Sequence, residues 1–161
     1  MEVSPGIKRN AVLVILKSGD QVLMLKRKKD PHKGLFTPIG GKLDPHENPT
    51  ACAIRETQEE TGIELARIKY IGSLIETSPG NYNWNCPVYL AEIPWQPAPP
   101  CDEGELHWAY LDKLDEFPHP EADKWIYKYM KEKKPFFFNA EYDRELNILS
   151  FREEIEGIDL L

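Results

Sequence analysis

The 161-residue chain contains no run of about 18 or more apolar residues, so nothing in it reads as a membrane-spanning helix. Cysteine is scarce. Cys52, Cys86 and Cys101 are odd in number, scattered and without a Cys-x-x-Cys pair, which argues against a disulfide framework and for a reduced, cytoplasmic compartment. The N-terminal MEVSPGIKRN lacks the order of a secretory signal. Positive charge is in deficit too: 20 Lys and Arg stand against 27 Asp and Glu, and a net charge of −7 argues against broad nucleic-acid binding, which needs a basic footprint. No internal repeat or low-complexity segment is visible. With 41% hydrophobic residues, this length suits one domain over residues 1–161 with a core of its own.

Apolar patterning orders the chain. Asn10–Leu16 is an almost continuous Val- and Ile-rich run, hence a strand buried on both faces, and Gln21–Lys26 returns from the Gly19-Asp20 turn as its hairpin partner. Phe36–Ile39 is a short extended piece. Ala66–Thr77, Trp84–Ile93 and Leu106–Leu111 read as further strands, and the four prolines between Pro94 and Pro100 make a stiff surface loop. Glu121–Lys133 patterns as an amphipathic helix, and Phe136–Tyr142 with Ile148–Arg152 form a last hairpin. Strands dominate and two helices flank them, so the expected fold is α+β, a mixed β-sheet sandwiched between helices.

The chemistry concentrates between Gly41 and Ile63, GKLDPHENPTACAIRETQEETGI. Asn48 suits an N-cap, Pro49 the first helical position and Gly62 a left-handed C-terminal residue, which brackets a helix of about three and a half turns. On it Glu56, Glu59 and Glu60 stand at i, i+3 and i+4 and project from one side, where like charges cost about a few tenths of a kcal/mol per pair. A cation should compensate them. Oxygen-only ligands without His or thiolate suit Mg²⁺, with Mn²⁺ as a substitute, rather than zinc. An acidic protein that handles phosphates should also use local cations; Lys26–Lys29, Lys33 and Lys42 surround the glycine loop.

Gly41, Glu47, Arg55, Glu56, Glu59, Glu60, Gly62 and Ile63 resemble the Nudix box, the signature of the Nudix hydrolases. Thr57 departs from it, standing where the family usually has a bulky aliphatic residue, and should pack toward the core. The resemblance implies an α/β/α sandwich and water attack on a diphosphate of a nucleotide. It implies Glu56, Glu59 and Glu60 as catalytic metal ligands, Glu56 doubling as general base, Arg55 orienting them and the Gly41 carbonyl as a further ligand. Glu47 reads as a loop-holding residue. A fourth acid from a distant loop commonly completes such sites; Glu105 is the first choice, with Glu103 and Asp102 behind it.

Beyond the box, the order of an acid, an aromatic-bearing helix, a Phe-rich strand and a return strand resembles MutT-type enzymes, which convert oxidised purine nucleoside triphosphates such as 8-oxo-dGTP to monophosphates. By that likeness His119 and Glu121, with Asp123 close by, would meet the base. Thr37 takes the place of an Asn that commonly reads it. Phe36 offers a stacking face, Lys26 and Lys42 offer charge for the phosphates, and Tyr82, Trp84 and Trp95 either line the base pocket or cap the sheet. The alternatives are an ADP-ribose or nucleoside diphosphate sugar pyrophosphatase, a non-catalytic nucleotide-binding module, and a hydrolase of RNA 5′ ends. Oligomeric state is not readable from the sequence.

Overall fold

The computed structural model describes residues 6–161. The first strand, β1 (Arg9–Ser18), sends Val12, Val14 and Leu16 to one face and Leu13 and Ile15 to the other. That alternation, with period two, explains why its middle, 11–16, is apolar throughout: both faces are covered. The remaining elements follow as β2 (Gln21–Arg27), β3 (Phe36–Thr37), β4 (Ile39–Lys42), α1 (Pro49–Thr61), β5 (Lys69–Thr77), β6 (Trp84–Glu92), β7 (Gly104–Tyr110), α2 (Asp123–Lys131), β8 (Phe136–Tyr142), β9 (Ile148–Glu153) and β10 (Ile158–Asp159). The strands form one mixed sheet in the order β10-β9-β8-β5-β6-β1-β2-β3, with β4 on β1 and β7 on β2. The β1–β6 and β5–β8 pairs are parallel and the others antiparallel.

Two cores lie on the two sides of this sheet. Cys52 and Ala53 of α1 pack on Val12, Val14, Leu16, Leu23 and Leu25. On the opposite side Ile126, Tyr127, Tyr129 and Met130 of α2 pack on Ile15, Val22, Met24 and the Phe-rich strand, where Phe136 and Phe138 stack with centroids 4.5 Å apart. The expected α/β/α layering is therefore the one observed. Element ends shift slightly. The strand expected from Ala66 starts at Lys69, and the helix expected over Glu121–Lys133 is confined to Asp123–Lys131, beginning only after Pro118 and Pro120. A short 3-10 turn at Leu111–Glu116 and strand β10 were not read from the sequence. Cys52, Cys86 and Cys101 are all free thiols. No helix among the described residues is long and apolar enough to cross a membrane.

One departure from regularity positions the functional cleft. β1 and β2 pair only near their hairpin turn, Leu16–Ser18 against Gln21–Leu23, and then part. Into the gap run β3, which pairs with β2 at Leu25 and Lys26, and β4, which pairs with β1 from Ala11 to Val14. The Gly40-Gly41 backbone is thereby held flat against β1. A Cβ on Gly40 would lie 2.2 Å from the Val12 carbonyl oxygen, so this position has no room for any side chain.

Candidate active site

Helix α1 is fixed at both ends by local chemistry. Asn48 Oδ1 accepts the Ala51 N–H at 2.9 Å, Pro49 opens the helix, and Gly62 (φ 75°) adopts the left-handed conformation while its N–H donates to the Gln58 carbonyl. Thr57 and Thr61 face the sheet, buried, with hydroxyls donating back to the Ala53 and Thr57 carbonyls at 2.7 and 2.6 Å. The hydroxyl that takes the place of an aliphatic group is thus satisfied inside the helix itself. With the threonines inward, Glu56 and Glu60 turn to the cleft beside Gly40 and Gly41.

Arg55 organises the neighbouring carboxylates. Its Nε and Nη2 grip Glu47 in a two-point pair at 2.7 and 2.8 Å, Nη1 donates to Glu56 at 2.9 Å and to Glu59 at 3.1 Å, and Nη2 also donates to the Lys42 carbonyl at 3.1 Å. Two-point contacts of this kind fix orientation as well as charge. Hydrogen bonding from Arg55, with help from the Asp44 N–H, holds the Glu47 carboxyl down to about 2. Glu47 therefore ties the loop to the helix. Glu59 lies at the exposed rim, on Arg55.

Glu60 has no such cation. It is held at the cleft wall, its Oε2 is buried without a hydrogen-bond partner, and Glu103 approaches it from the loop before β7. Burial, and then the charges of Glu56 and Glu103, push its carboxyl up to about 8. Burial also raises the Glu56 carboxyl, against the pull of Arg55. Among the described residues no group of three or more His, Cys, Asp or Glu is drawn together closely enough to cage a metal ion by itself. Mg²⁺ has no need of one, because it uses one or two carboxylates, phosphate oxygens and waters. An unpartnered buried carboxylate oxygen within an all-oxygen donor set fits a hard divalent cation.

The cleft, about 730 Å³, continues from these acids to a second polar end. There Glu76 is buried and accepts from Tyr142 Oη at 2.6 Å and from Tyr82 Oη at 3.2 Å on both carboxylate oxygens. Since Tyr82 gives its one proton to Glu76, the 3.0 Å contact with His32 Nε2 has the histidine as donor. Arg9 lies over the Trp84 ring at 4.2 Å, and Asp123, also buried, stands near enough to Glu76 for their charges to repel. Burial pushes the Glu76 carboxyl up, against the tyrosine hydrogen bonds and the attraction of Lys8. The unfolded chain loses this proton near the ordinary Glu value of about 4.3, whereas the folded protein holds it to higher pH, so stability falls as pH rises between the two. Glu76→Gln, which cannot ionise, is expected to gain in Tm over the wild type as pH is raised from 5 to 8. Melting curves of both proteins across that range test this, and a Tm difference independent of pH would show that Glu76 ionises freely.

Several residues expected at the site lie elsewhere, and strand alternation is the reason. Lys26, Phe36 and Glu105 are cross-strand neighbours on one face of β3-β2-β7. Phe36 is packed into the α2-side core against Phe117 and His107, Lys26 Nζ sits 5.9 Å from the Phe36 ring, and Glu105 meets His107 at 3.3 Å. Arg27 and Thr37, each one position away, line the cleft, Thr37 as expected. Of the candidate fourth acids, Glu103, in the loop just before β7, lines the cleft near Glu60, whereas Glu105 does not line it. Lys42 lines the cleft as expected, but His119 and Glu121 line an adjoining cavity that shares only Asp30, Pro31 and His32 with it. Tyr82 and Trp84 belong to the cleft, whereas Trp95 packs on Trp108, away from it. Glu76 was missed. Its signal was the alternation in SLIET, which puts it on the same face as the buried Leu74.

Against known proteins, the NUDIX domain pattern matches residues 7–133. The NAD-capped RNA hydrolase NudC of Pseudomonas aeruginosa is 28% identical over 109 residues, which is 67% of this chain but only 38% of NudC. The uncharacterized Nudix hydrolase YvcI of Bacillus subtilis is 26% identical over 151 residues, 89% of this chain and 93% of that one. Among solved structures, the mutator MutT protein from Bacillus halodurans superposes with a TM-score of 0.80 at 25% identity, covering 92% of this chain and 99% of that chain.

Proposed function

The chain belongs to the Nudix family, and on that premise we propose that it hydrolyses nucleoside diphosphate derivatives as a Mg²⁺-dependent, MutT-type pyrophosphatase converting purine nucleoside triphosphates, oxidised ones above all, to the monophosphate and pyrophosphate. The observation that carries the metal-dependent reading is the buried, unpartnered Glu60 Oε2 beside Glu56, at a place where Arg55 is already engaged by Glu47, Glu56 and Glu59. Glu56, Glu60 and the Gly41 carbonyl would hold the ion, with Glu59 at the rim and Glu103 facing them. When bound, the cation neutralises phosphate charge and lowers the barrier to attack at phosphorus. Glu56 takes the proton of the attacking water, with Arg55 holding its Oε1 so that Oε2 is presented to the cleft. Lys42, Arg27 and Arg9 attract the phosphates into an otherwise acidic groove.

At the far end, Glu76 lines the cleft with acceptor oxygens that suit N–H donors, the pattern of a guanine-type edge with its ring N–H and exocyclic amine. That, and the end-to-end likeness to MutT, favour a purine triphosphate over ADP-ribose. Residues 7–133 carry the family pattern and β8–β10 extend the same sheet, so the chain acts as one unit.

The test is a comparison of kcat/KM with Mg²⁺ for 8-oxo-dGTP, the ordinary dNTPs, ADP-ribose, NAD and a dinucleoside polyphosphate. The oxidised purine should lead by about tenfold or more, roughly 1.4 kcal/mol. Release of AMP from ADP-ribose without triphosphate hydrolysis would sink the substrate assignment. Chelation should abolish turnover and Mg²⁺ or Mn²⁺ restore it; full activity after exhaustive chelation would remove the metal from the reading.

A further inference from the structure

A second concavity, about 880 Å³, lies at the opposite end of the sheet from the cleft. The cleft takes Arg9 and Ala11 from β1, Glu76 from β5 and Trp84 from β6, whereas this groove takes Lys17, Lys69 and Leu90 from the same three strands. Arg9 and Lys17 are about 26 Å apart along β1, at ~3.3 Å per residue. Lys17, Arg67, Lys69, Lys131, Lys133 and Lys134 all line it. One carboxylate, Glu92, lines it as well, paired with Lys17 at 3.1 Å, and Glu132 reaches Lys134 at 4.0 Å. Among the described residues, Arg67, Lys69, Lys131 and Lys133 have no carboxylate within salt-bridge distance. A chain of net charge −7 thus gathers six cations in one hollow.

The C-terminal dipole of α2 accounts for a lysine or two in its last turn. It does not account for Arg67, Lys69 or Lys17, which arrive from other elements. Nor does it account for Lys133 itself, whose φ of 56° is the left-handed conformation that a glycine would adopt at less cost. The floor is apolar, with Ile68, Ile71 and Pro135, and Tyr129 lies beneath Lys134; the half-exposed Tyr70 lines the groove's edge, its ring edge-on to Tyr89 and its hydroxyl on Ser73. Six separate cations exceed what one phosphate group requires, a concave hollow does not suit a flat lipid surface, and a half-exposed ring at the edge of a row of cations suits a chain that carries bases.

We propose that this groove binds the phosphodiester backbone of a single-stranded nucleic acid, with Tyr70 as a stacking face. The proposal is independent of the reaction assigned to the cleft. The whole protein is titrated into a fluorescein-labelled 12-mer of oligo(U) and anisotropy is followed at KCl concentrations of about 50 to 200 mM. Saturable binding at low salt is expected, with log K falling against log[KCl] with a slope of about −3 to −4, at ~0.7 per phosphate neutralised on a single strand. Arg67→Glu/Lys69→Glu should weaken it at least tenfold and Tyr70→Ala about tenfold, while mononucleotide hydrolysis and Tm stay at wild-type values. Lys133→Gly separates binding from folding. It relieves the backbone and should raise Tm, yet weaken binding about two- to threefold and make the slope shallower by about 0.7. The proposal is overturned by an absence of saturable binding at low salt, by binding that survives the charge reversals, or by inorganic tripolyphosphate or phosphatidylserine vesicles displacing the oligonucleotide at equal phosphate concentration.

Discussion

Glu56→Gln is expected to lower kcat by about a thousandfold or more while Tm stays within a few degrees of wild type. The amide has the same shape as the carboxylate and keeps an oxygen for Arg55 Nη1, which now bonds Glu56 Oε1 at 2.9 Å, so packing against Gly41 survives. Two things are lost together. The amide cannot take a proton from water, and it removes a negative charge from the proposed cation site. General-base loss alone accounts for about 10²–10⁴. A change in metal affinity would appear separately, as a higher Mg²⁺ concentration for half-maximal rate. Steady-state kinetics at saturating Mg²⁺, with a melting curve as control, decide the matter; a stable variant with near-wild-type turnover would take Glu56 out of the catalytic role.

The two adjacent glycines should give opposite phenotypes. A Cβ on Gly41 would fall 2.2 Å from the Glu56 carboxyl carbon, and that carboxylate is the far end of a flexible side chain. Gly41→Ala is therefore expected to leave the fold intact and push Glu56 off its position, and a misplacement of about 1 Å costs about a hundredfold in rate. A Cβ on Gly40 meets the Val12 carbonyl oxygen at 2.2 Å, backbone that cannot step aside without breaking the β1–β4 ladder. Gly40→Ala should accordingly destabilise by about 1–3 kcal/mol or more, with whatever folds retaining chemistry. Thermal melts and kcat for the pair test the contrast. If Gly41→Ala were as active as wild type, the close seat of Glu56 on the glycine would have no functional weight.

What could be read from the residues alone follows from which interactions are local. The caps of α1, the carboxylate side of that helix and the inward turn of Thr57 depend on neighbours within a few positions, and the apolar run of β1 announces burial on both faces whatever lies across it. Lys26 against Arg27 and Phe36 against Thr37 depend on something else. Each choice is a matter of which strand face meets the cleft, set by register with partners far along the chain, and an error of one residue turns the side chain to the other side. Net charge hides a different kind of information: −7 describes the whole chain, and says nothing of six cations brought together from several elements.

The three free thiols bear on the conditions the molecule can tolerate. Burial, reinforced by the charge of Glu47, pushes the Cys52 thiol up to about 12, although it lies directly beneath Arg55. Burial raises Cys86 and Cys101 as well. Peroxides and disulfides react with thiolate, and susceptibility to sulfenic acid formation follows thiolate content. Raised in this way, all three thiols stay protonated at neutral pH, including the one atom close enough to disturb the Arg55 hub if it were oxidised.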